Sequence, residues 1–295
     1  MNVRQWIEWV CARLDDAGLH FGHGTDNAAD EAAWLVLHVI GASLDGRFDN
    51  WGRELSAIEE KQVRELVDAR IEQRAPLAYL TGMARFAGLE FETGAAALVP
   101  RSPIAELVLD QFRPWVDPSQ VHRVLDMCTG SGCIAIAIAH HLPWTRVDAA
   151  DISAEALAIA KRNISRHGVE DRVSLIETDL FQTLPACRYD LIVANPPYVP
   201  VESISKLPAE YQAEPVLGLV SGDDGLSATL SILAHAADFL SENGVLVCEV
   251  GESEKRLAGK VPQVPFLWLE FAYGGSGVFV LTREELAHAG PQLVG

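Results

Sequence analysis

The sequence predicts an α/β protein, with a mostly parallel sheet covered by helices, a small helical N-terminal domain and a β-hairpin bridge between them. Three observations predict it. Residues 1–84 carry apolar side chains at helical spacing and no strand signal. From about residue 104, short β-branched runs alternate with helical patterns, as parallel strands joined by crossovers require. Near the end, two apolar runs flank Gly274, Gly275 and Gly277 and read as an antiparallel hairpin. The 295 residues, 49% of them hydrophobic, suffice for one large domain and a smaller one.

Taken in order, Trp6, Ile7, Val10 and Leu14 mark a first helix, and Trp34, Leu35, His38 and Val39 a second. Residues 58–71 form a third, with Val63, Leu66, Val67 and Ile71 on one face, ending before Pro76. The tryptophans Trp6, Trp9 and Trp34 at these spacings read as core. Residues 85–103 form the bridge, with Phe86, Leu89 and Phe91 in one strand, Gly94 at the turn and Leu98 and Val99 in the other. The remaining residues, 104–295, form the large domain. Strands are expected at 121–127, 146–150, 173–177, 189–194 and 245–249. Helices are expected at 134–142 and 154–167, the latter between Ser153 as N-cap and Gly168 as stop. Residues 267–272 and 278–281 complete the sheet, giving one antiparallel strand near its edge.

Composition narrows the function. Lys and Arg number 23 against 41 Asp and Glu, a net charge of -18. Such a surface repels phosphates, which argues against nucleic acid as a direct partner, and it attracts a basic protein. Solubility alone is the competing reason for the charge. The five cysteines are scattered without a C-x-x-C pair, so neither a disulfide framework nor a zinc site follows. His20, His23 and the pair His140-His141 lack a matching ligand set, and no metal is expected. No apolar run approaches the roughly 20 residues of a membrane span, and the N-terminus lacks a signal-peptide pattern. A cytoplasmic protein without membrane contact is the expectation.

The segment Asp126-Met127-Cys128-Thr129-Gly130-Ser131-Gly132 follows a strand and opens a helix. Glycines there permit a sharp turn and close approach of a ligand. Asp151 ends the next strand, roughly 20 residues on, where a carboxylate can accept both hydroxyls of a ribose. Two cofactors fit this much, NAD and S-adenosyl-L-methionine. A Walker A lysine is absent.

Asn195-Pro196-Pro197-Tyr198 follows another strand and lies on the same rim. Two prolines stiffen the backbone and remove its N–H groups. The Asn195 side-chain oxygen and the Pro196 carbonyl remain as a rigid pair of acceptors, suited to a planar NH₂. The Tyr198 ring can stack on a flat group behind that nitrogen. An amide nitrogen is a poor nucleophile, and two such hydrogen bonds would orient it toward a sulfonium methyl. The NAD reading gives this segment no role. Asn-Pro-Pro as a mere rigid turn is the bland alternative.

These motifs, with Thr178-Asp179-Leu180-Phe181, resemble the class I, Rossmann-like protein-(glutamine-N5) methyltransferases, whose sheet has seven strands. The resemblance covers nearly the whole chain, from the PLAYLTG run at 76–82 through 98–101 to 271–282. Within the family, the release-factor branch carries P-R-P-x-T-E in its bridge. This chain has Pro100-Arg101-Ser102-Pro103-Ile104-Ala105-Glu106, and its stretches at 207–215 and 218–226 are similar to the branch acting on the third protein of the large ribosomal subunit, uL3. The resemblance implies S-adenosyl-L-methionine as cofactor and basic uL3 as partner. It implies a cofactor site of Asp126, Cys128, Thr129, Gly130, Ser131, Gly132, Asp151, Asp179, Leu180 and Asn195. Cys128 to Gly132 would cradle the methionine part, Asp151 the ribose, and Asp179 and Leu180 the adenine. Asn195, Pro196, Pro197 and Tyr198 would hold the glutamine, with Asn195, Pro196 and Tyr198 catalytic. Arg101 is read two ways, as a substrate contact or as an anchor of the bridge. The helical domain, 1–84, would recognise the substrate.

Glu249-Val250-Gly251 ends a strand on the active rim and is read as support, and Asp223 and Asp224 as turn residues. Three alternatives stay open. One is the release-factor enzyme. A second is a nucleic-acid amino methyltransferase with a flipped base, against which the charge stands. The third is a non-catalytic factor that binds the ribosomal protein and has no cofactor affinity.

Overall fold

The structure, a computed structural model, describes residues 1–43 and 47–289. The chain divides into two units. The first comprises Met1–Ala95, Val99–Arg101 and Leu207–Glu214. Its helices are α1 (Val3–Asp16), α2 (Ala28–Val39), α3 (Ala57–Gln73) and α4 (Leu77–Thr81). Each of the first three starts where a side chain takes up an orphan N–H. Asn2 caps α1 in a reciprocal box with Gln5, Asn27 accepts from the Asp30 N–H, and Ser56 pairs with Glu59. Trp6, Val10, Leu14, Leu35, Val63, Val67 and Leu77 form a sealed core.

The third helix differs from expectation on its buried face. Val63 and Val67 are joined there by Arg70, fully buried, while Leu66 and Ile71 are only partly buried. Arg70 is tolerated because Glu31 lies 2.7 Å from its Nε and Glu210 lies 3.4 Å from its Nη1. α3 does end before Pro76, with Arg74 left-handed at φ 54°, but Pro76 is then the N-cap of α4, a helix the sequence pattern did not predict.

The hairpin also differs. Strands β1 (Met83–Phe86) and β2 (Leu89–Glu92) pair antiparallel around Ala87-Gly88, so the turn is not at Gly94 and Leu98 and Val99 lie in no strand. Ala87 and Gly88 have φ of 47° and 80°, the sign that a two-residue hairpin turn needs.

The second unit comprises Ala96–Leu98, Ser102–Lys206 and Pro215–Gly295. After helix α5 (Ile104–Leu109) come β3 (Arg123–Met127), α6 (Cys133–His141), β4 (Arg146–Asp151), α7 (Ala154–His167), β5 (Val173–Glu177) and β6 (Tyr189–Ala194). Then follow α8 (Val216–Leu219), α9 (Ser227–Phe239), β7 (Leu240–Glu249), α10 (Glu254–Lys260), β8 (Leu267–Trp268), β9 (Val278–Thr282) and α11 (Arg283–Ala289). Ser153 and Gly168 bound α7 as expected. β3 and α6 begin within two residues of expectation, β7 starts earlier and β8 is shorter.

The seven strands lie in the order β5-β4-β3-β6-β7-β9-β8, and β9 runs antiparallel to β7 and β8. β3 and β6 are neighbours although the chain winds outward from β3 on one side and from β6 on the other. This reversal of strand order opens a crevice beyond their carboxyl ends, where open α/β sheets bind ligands. Four of the five residues of β3 and five of the six of β6 are buried, so both faces are covered. Among the described residues no helix is long and apolar enough to cross a membrane.

Candidate active site

Strand register sets the site. Met127 of β3 pairs with Ala150 of β4 and with Ala194 of β6, and Ala194 pairs in turn with Cys248 of β7. Cys128 and Asn195 therefore leave the sheet, and Asp151 and Glu249 end their strands, at one level on adjacent strands, each about 4.8 Å from the next. Sequence motifs up to 121 positions apart become one rim.

The glycine loop turns through positive φ at Cys128 (61°), Gly130 (56°) and Gly132 (78°). Cys128 holds this conformation without being glycine, at a backbone cost the surrounding hydrogen bonds must offset. A side chain on Gly132 would put Cβ 3.0 Å from Ala160 Cβ and 3.3 Å from Ile136 Cδ1, so glycine lets α6 start hard against α7. Beside Gly130 the nearest atom to such a Cβ is Ala97 Cβ at 4.0 Å, which leaves its backbone open to a ligand. Asn163 on α7 steadies the loop by donating to the Ser131 carbonyl at 2.9 Å.

Two acids brace the loop. Asp126 is fully buried, and its Oδ2 accepts from Thr129 Oγ1 and from the Ala135 N–H at 3.0 Å, tying the loop to the first turn of α6. Its Oδ1 is buried with no hydrogen-bond partner. Burial pushes the Asp126 carboxyl up to about 7 against the pull of those two bonds. Asp151 accepts the Gly130 N–H on Oδ2 at 2.8 Å and the Ser153 N–H on Oδ1 at 2.9 Å. The Ile152 N–H also acts on this carboxylate, which with about four lone-pair sites keeps acceptor capacity for a hydroxyl. Burial raises the Asp151 pKa, with the N–H bonds from Ser153 and Gly130 opposing it. Burial and the neighbouring Asp151 carboxylate hold the Cys128 thiol well above its usual range, so it stays a neutral thiol.

At the far end of the rim, the Thr178 N–H donates to the Asp151 carbonyl at 2.9 Å. Its hydroxyl donates to the Leu180 carbonyl at 3.1 Å. Leu180 is left-handed at φ 49°, and Asp179, exposed, accepts from Gln182 Nε2 at 2.8 Å. Open backbone at Gly130, remaining acceptor capacity on Asp151 and an orphan oxygen on Asp126 fit a ligand with hydroxyls and a cationic group. That is the donor set of S-adenosylmethionine.

Asn195 is half-buried, and among the described residues its side chain has no hydrogen-bond partner. Pro196 is buried behind it. Tyr198 is held on several sides. Its hydroxyl donates to Glu249 Oε1 at 3.2 Å, and its carbonyl accepts from Ser253 Oγ at 2.9 Å. Val199 bridges to Val220 in parallel, its N–H donating to the Leu219 carbonyl at 2.8 Å. Glycines make room for these contacts. A Cβ on Gly225 would meet the Tyr198 carbonyl oxygen at 2.4 Å, and one on Gly251 would meet the Tyr198 ring at 2.7 Å. Asp224 does act in the turn, accepting the Leu226 N–H at 3.0 Å.

Arg101 lies in the first unit, where its guanidinium grips Glu214 with both Nη atoms, at 2.6 and 2.7 Å. Glu214 also accepts the Val99 N–H at 3.1 Å, and the buried His23 ring lies 3.4 Å from its Oε2. Burial pushes the Glu214 carboxyl up, but His23 and the Arg101 guanidinium pull it further down, to about 2. This cluster gives Arg101 a place as an anchor. Glu214, His23 and Ser102, whose hydroxyl donates to Glu249 at 2.5 Å, escaped the sequence reading as parts of any assembly. Glu249 alone had a signal, its position at a strand's carboxyl end.

Two family models match the chain, a methyltransferase small domain over residues 105–207 and the PrmC N-terminal domain over residues 5–82. A ribosomal protein uL3 glutamine methyltransferase of Xanthomonas campestris pv. campestris is 50% identical over 96% of this chain and 92% of its own length. One of Neisseria gonorrhoeae is 46% identical over 97% and 95%. Among solved structures, the hMettl16 catalytic domain in complex with a MAT2A 3'UTR hairpin aligns with a TM-score of 0.51 at 16% identity, covering 80% of this chain and 86% of that one. At that identity the likeness concerns the fold.

Proposed function

The chain belongs to the ribosomal protein uL3 glutamine methyltransferases, and from that membership we propose how its rim residues carry out the reaction. It is an S-adenosylmethionine-dependent enzyme that methylates the side-chain amide nitrogen of a glutamine in uL3. Bound at the glycine loop, the cofactor supplies a sulfonium methyl, an electrophilic carbon with a neutral thioether as leaving group.

In our reading, Cys128 to Gly132 lie along the methionine part of the cofactor. Asp151 takes the ribose hydroxyls with its remaining acceptor capacity, and Asp126 sets a carboxyl beneath the cationic end. Asp179 and Leu180 border the adenine. Asn195 Oδ1 and the Pro196 carbonyl accept the two hydrogens of the glutamine NH₂, while Tyr198 packs beside its plane. Held so, the nitrogen would be aimed at the methyl carbon of the bound cofactor, which would give up the methyl and leave as a neutral thioether while one N–H proton passes to solvent. Alignment within about 3 Å supplies much of the rate. The two acceptors favour the positive charge that grows on nitrogen. No strong base is required, since a nitrogen alkylated in this way is acidic. Arg101 anchors the bridge in this scheme rather than touching the glutamine.

One observation carries the assignment. The Asn195 side chain, unpartnered among the described residues, leaves the sheet one strand away from the glycine loop. The helical unit is proposed to recognise uL3, and the charge of -18 favours a basic partner over a polyanion. A cytoplasmic location goes with that substrate. The test is mass spectrometry of uL3 after incubation with isotopically labelled cofactor. One methyl on a glutamine amide is expected with the natural chain. Asn195→Ala is expected to bind cofactor normally and to leave uL3 unmodified; normal turnover in that variant would remove Asn195 from the mechanism.

A further inference from the structure

Glu249 lies at the carboxyl end of β7, level with Asn195 and only 5% exposed. A buried carboxylate is tolerated only with its oxygens satisfied. Here Oε1 accepts the Tyr198 hydroxyl at 3.2 Å and Oε2 accepts the Ser102 hydroxyl at 2.5 Å. The Ser102 oxygen also accepts the Ile104 N–H at 3.1 Å at the start of α5, which leaves its single hydrogen to be given to Glu249. The Tyr198 ring also rests on Gly251, where a Cβ would intrude to 2.7 Å. A ring tethered at its hydroxyl and packed on bare backbone has little freedom to turn.

We propose that Ser102 and Glu249 are positioning residues that set the Tyr198 ring beside the substrate amide, Ser102 orienting Glu249 and Glu249 orienting Tyr198. The proposal rests on the reading of residues 195–198 as the glutamine site. Neither residue touches the reacting atoms. Their effect is on the alignment of the amide nitrogen and therefore on kcat, while the glycine loop and Asp151 keep their grip on the cofactor. A carboxylate suits the task because it accepts two hydroxyls at once. An amide presents one acceptor and one donor and must turn one of the hydroxyls round.

The experiment compares Ser102→Ala, Ser102→Thr, Glu249→Gln and Tyr198→Phe, with the Tyr198→Phe/Glu249→Gln pair. It measures kcat and KM for uL3, the Kd of S-adenosylhomocysteine and the Tm. Ser102→Ala, Glu249→Gln and Tyr198→Phe are each expected to lower kcat by about tenfold, the effect of one hydrogen bond to a charged group. The Kd for S-adenosylhomocysteine is expected to hold. The double variant should be no slower than the worse single one, because both act through one contact. Ser102→Thr, which keeps the hydroxyl, should restore kcat. Unchanged kcat in Ser102→Ala and Glu249→Gln, additive losses, or losses that follow cofactor Kd and Tm would overturn the proposal. If Glu249→Gln does not fold, the serine, alanine and threonine series decides alone. The natural chain and Asn195→Ala run alongside. A natural chain that leaves uL3 glutamine unmethylated defeats the parent reading. An active natural chain, a dead Asn195→Ala and relay variants as fast as wild type defeat this proposal only.

Discussion

Gly251→Ala isolates the placement of Tyr198 from everything else in the site. The added Cβ would lie 2.7 Å from Tyr198 Cε2, 2.8 Å from Cζ and 3.1 Å from the hydroxyl oxygen. Carbon atoms rest comfortably about 3.5–4.0 Å apart, so the ring must retreat by about 1 Å. Gly251 sits at φ 47°, where alanine costs about 1 kcal/mol more than glycine. Overpacking adds about 1–3 kcal/mol, so a loss of roughly 2–4 kcal/mol in stability is expected. The effect on rate is larger in proportion, because a misplacement of about 1 Å near the chemistry can cost about a hundredfold. The assay pairs kcat on uL3 with calorimetric binding of S-adenosylhomocysteine. The expected result is a kcat down by about a hundredfold with cofactor affinity within about twofold of the natural chain. Adding Tyr198→Ala to the variant should cost little more, since the ring is already displaced. A kcat within about twofold of the natural value, in a variant whose lowered Tm shows that the clash is real, would refute the idea that the ring's position matters.

Asp151→Ala removes the acceptors of the Gly130 and Ser153 N–H groups and of the proposed ribose contact. It should weaken cofactor binding by tenfold or more (roughly 1.5–3 kcal/mol for the charged hydrogen bonds lost), read by calorimetry, with an unchanged Kd counting against the ribose assignment. Glu214 has its carboxyl held at about 2 in the fold against 4.5 unfolded. Its pairing therefore stabilises on the order of 3 kcal/mol above pH 4.5, and this is lost as pH falls toward 2. Glu214→Gln should remove that part of the acid dependence in denaturant titrations, and an unaltered acid profile would deny it. Asp126 runs the other way. Its folded value of about 7 lies above the unfolded 3.8, so its contribution is fully present below 3.8 and lost as pH rises through 7. Asp126→Asn should flatten stability across that window, and a slope as steep as in the natural chain would contradict the burial argument.

Much of the sheet was legible in the sequence because its signals are local. Ser153 and Gly168 bound α7 by capping chemistry that needs no distant partner. β5 and β6 follow from short apolar runs ending at acids or turn residues. The hairpin failed locally too, since Ala87-Gly88 outweighs Gly94 only when alanine accepts a left-handed φ. What escaped was charge buried against partners far along the chain. Arg70 interrupts an apolar face, and helical periodicity cannot foresee that Glu210, 140 residues away, will neutralise it. The serine between Arg101 and Pro103 gives no sign that its hydroxyl meets Glu249, 147 residues on. The rim itself was legible as motifs, and the β3–β6 register turned those motifs into neighbours.

The most direct measurement is a crystal structure of the enzyme with S-adenosylhomocysteine and a glutamine-bearing segment of uL3. Both hydrogens of the carboxamide should point to Asn195 Oδ1 and the Pro196 carbonyl, with N···O distances of about 2.9 Å. The amide nitrogen should face the product sulfur in line with the departed methyl. A carboxamide bound away from those two oxygens, or a product sulfur turned from it, would contradict the assignment.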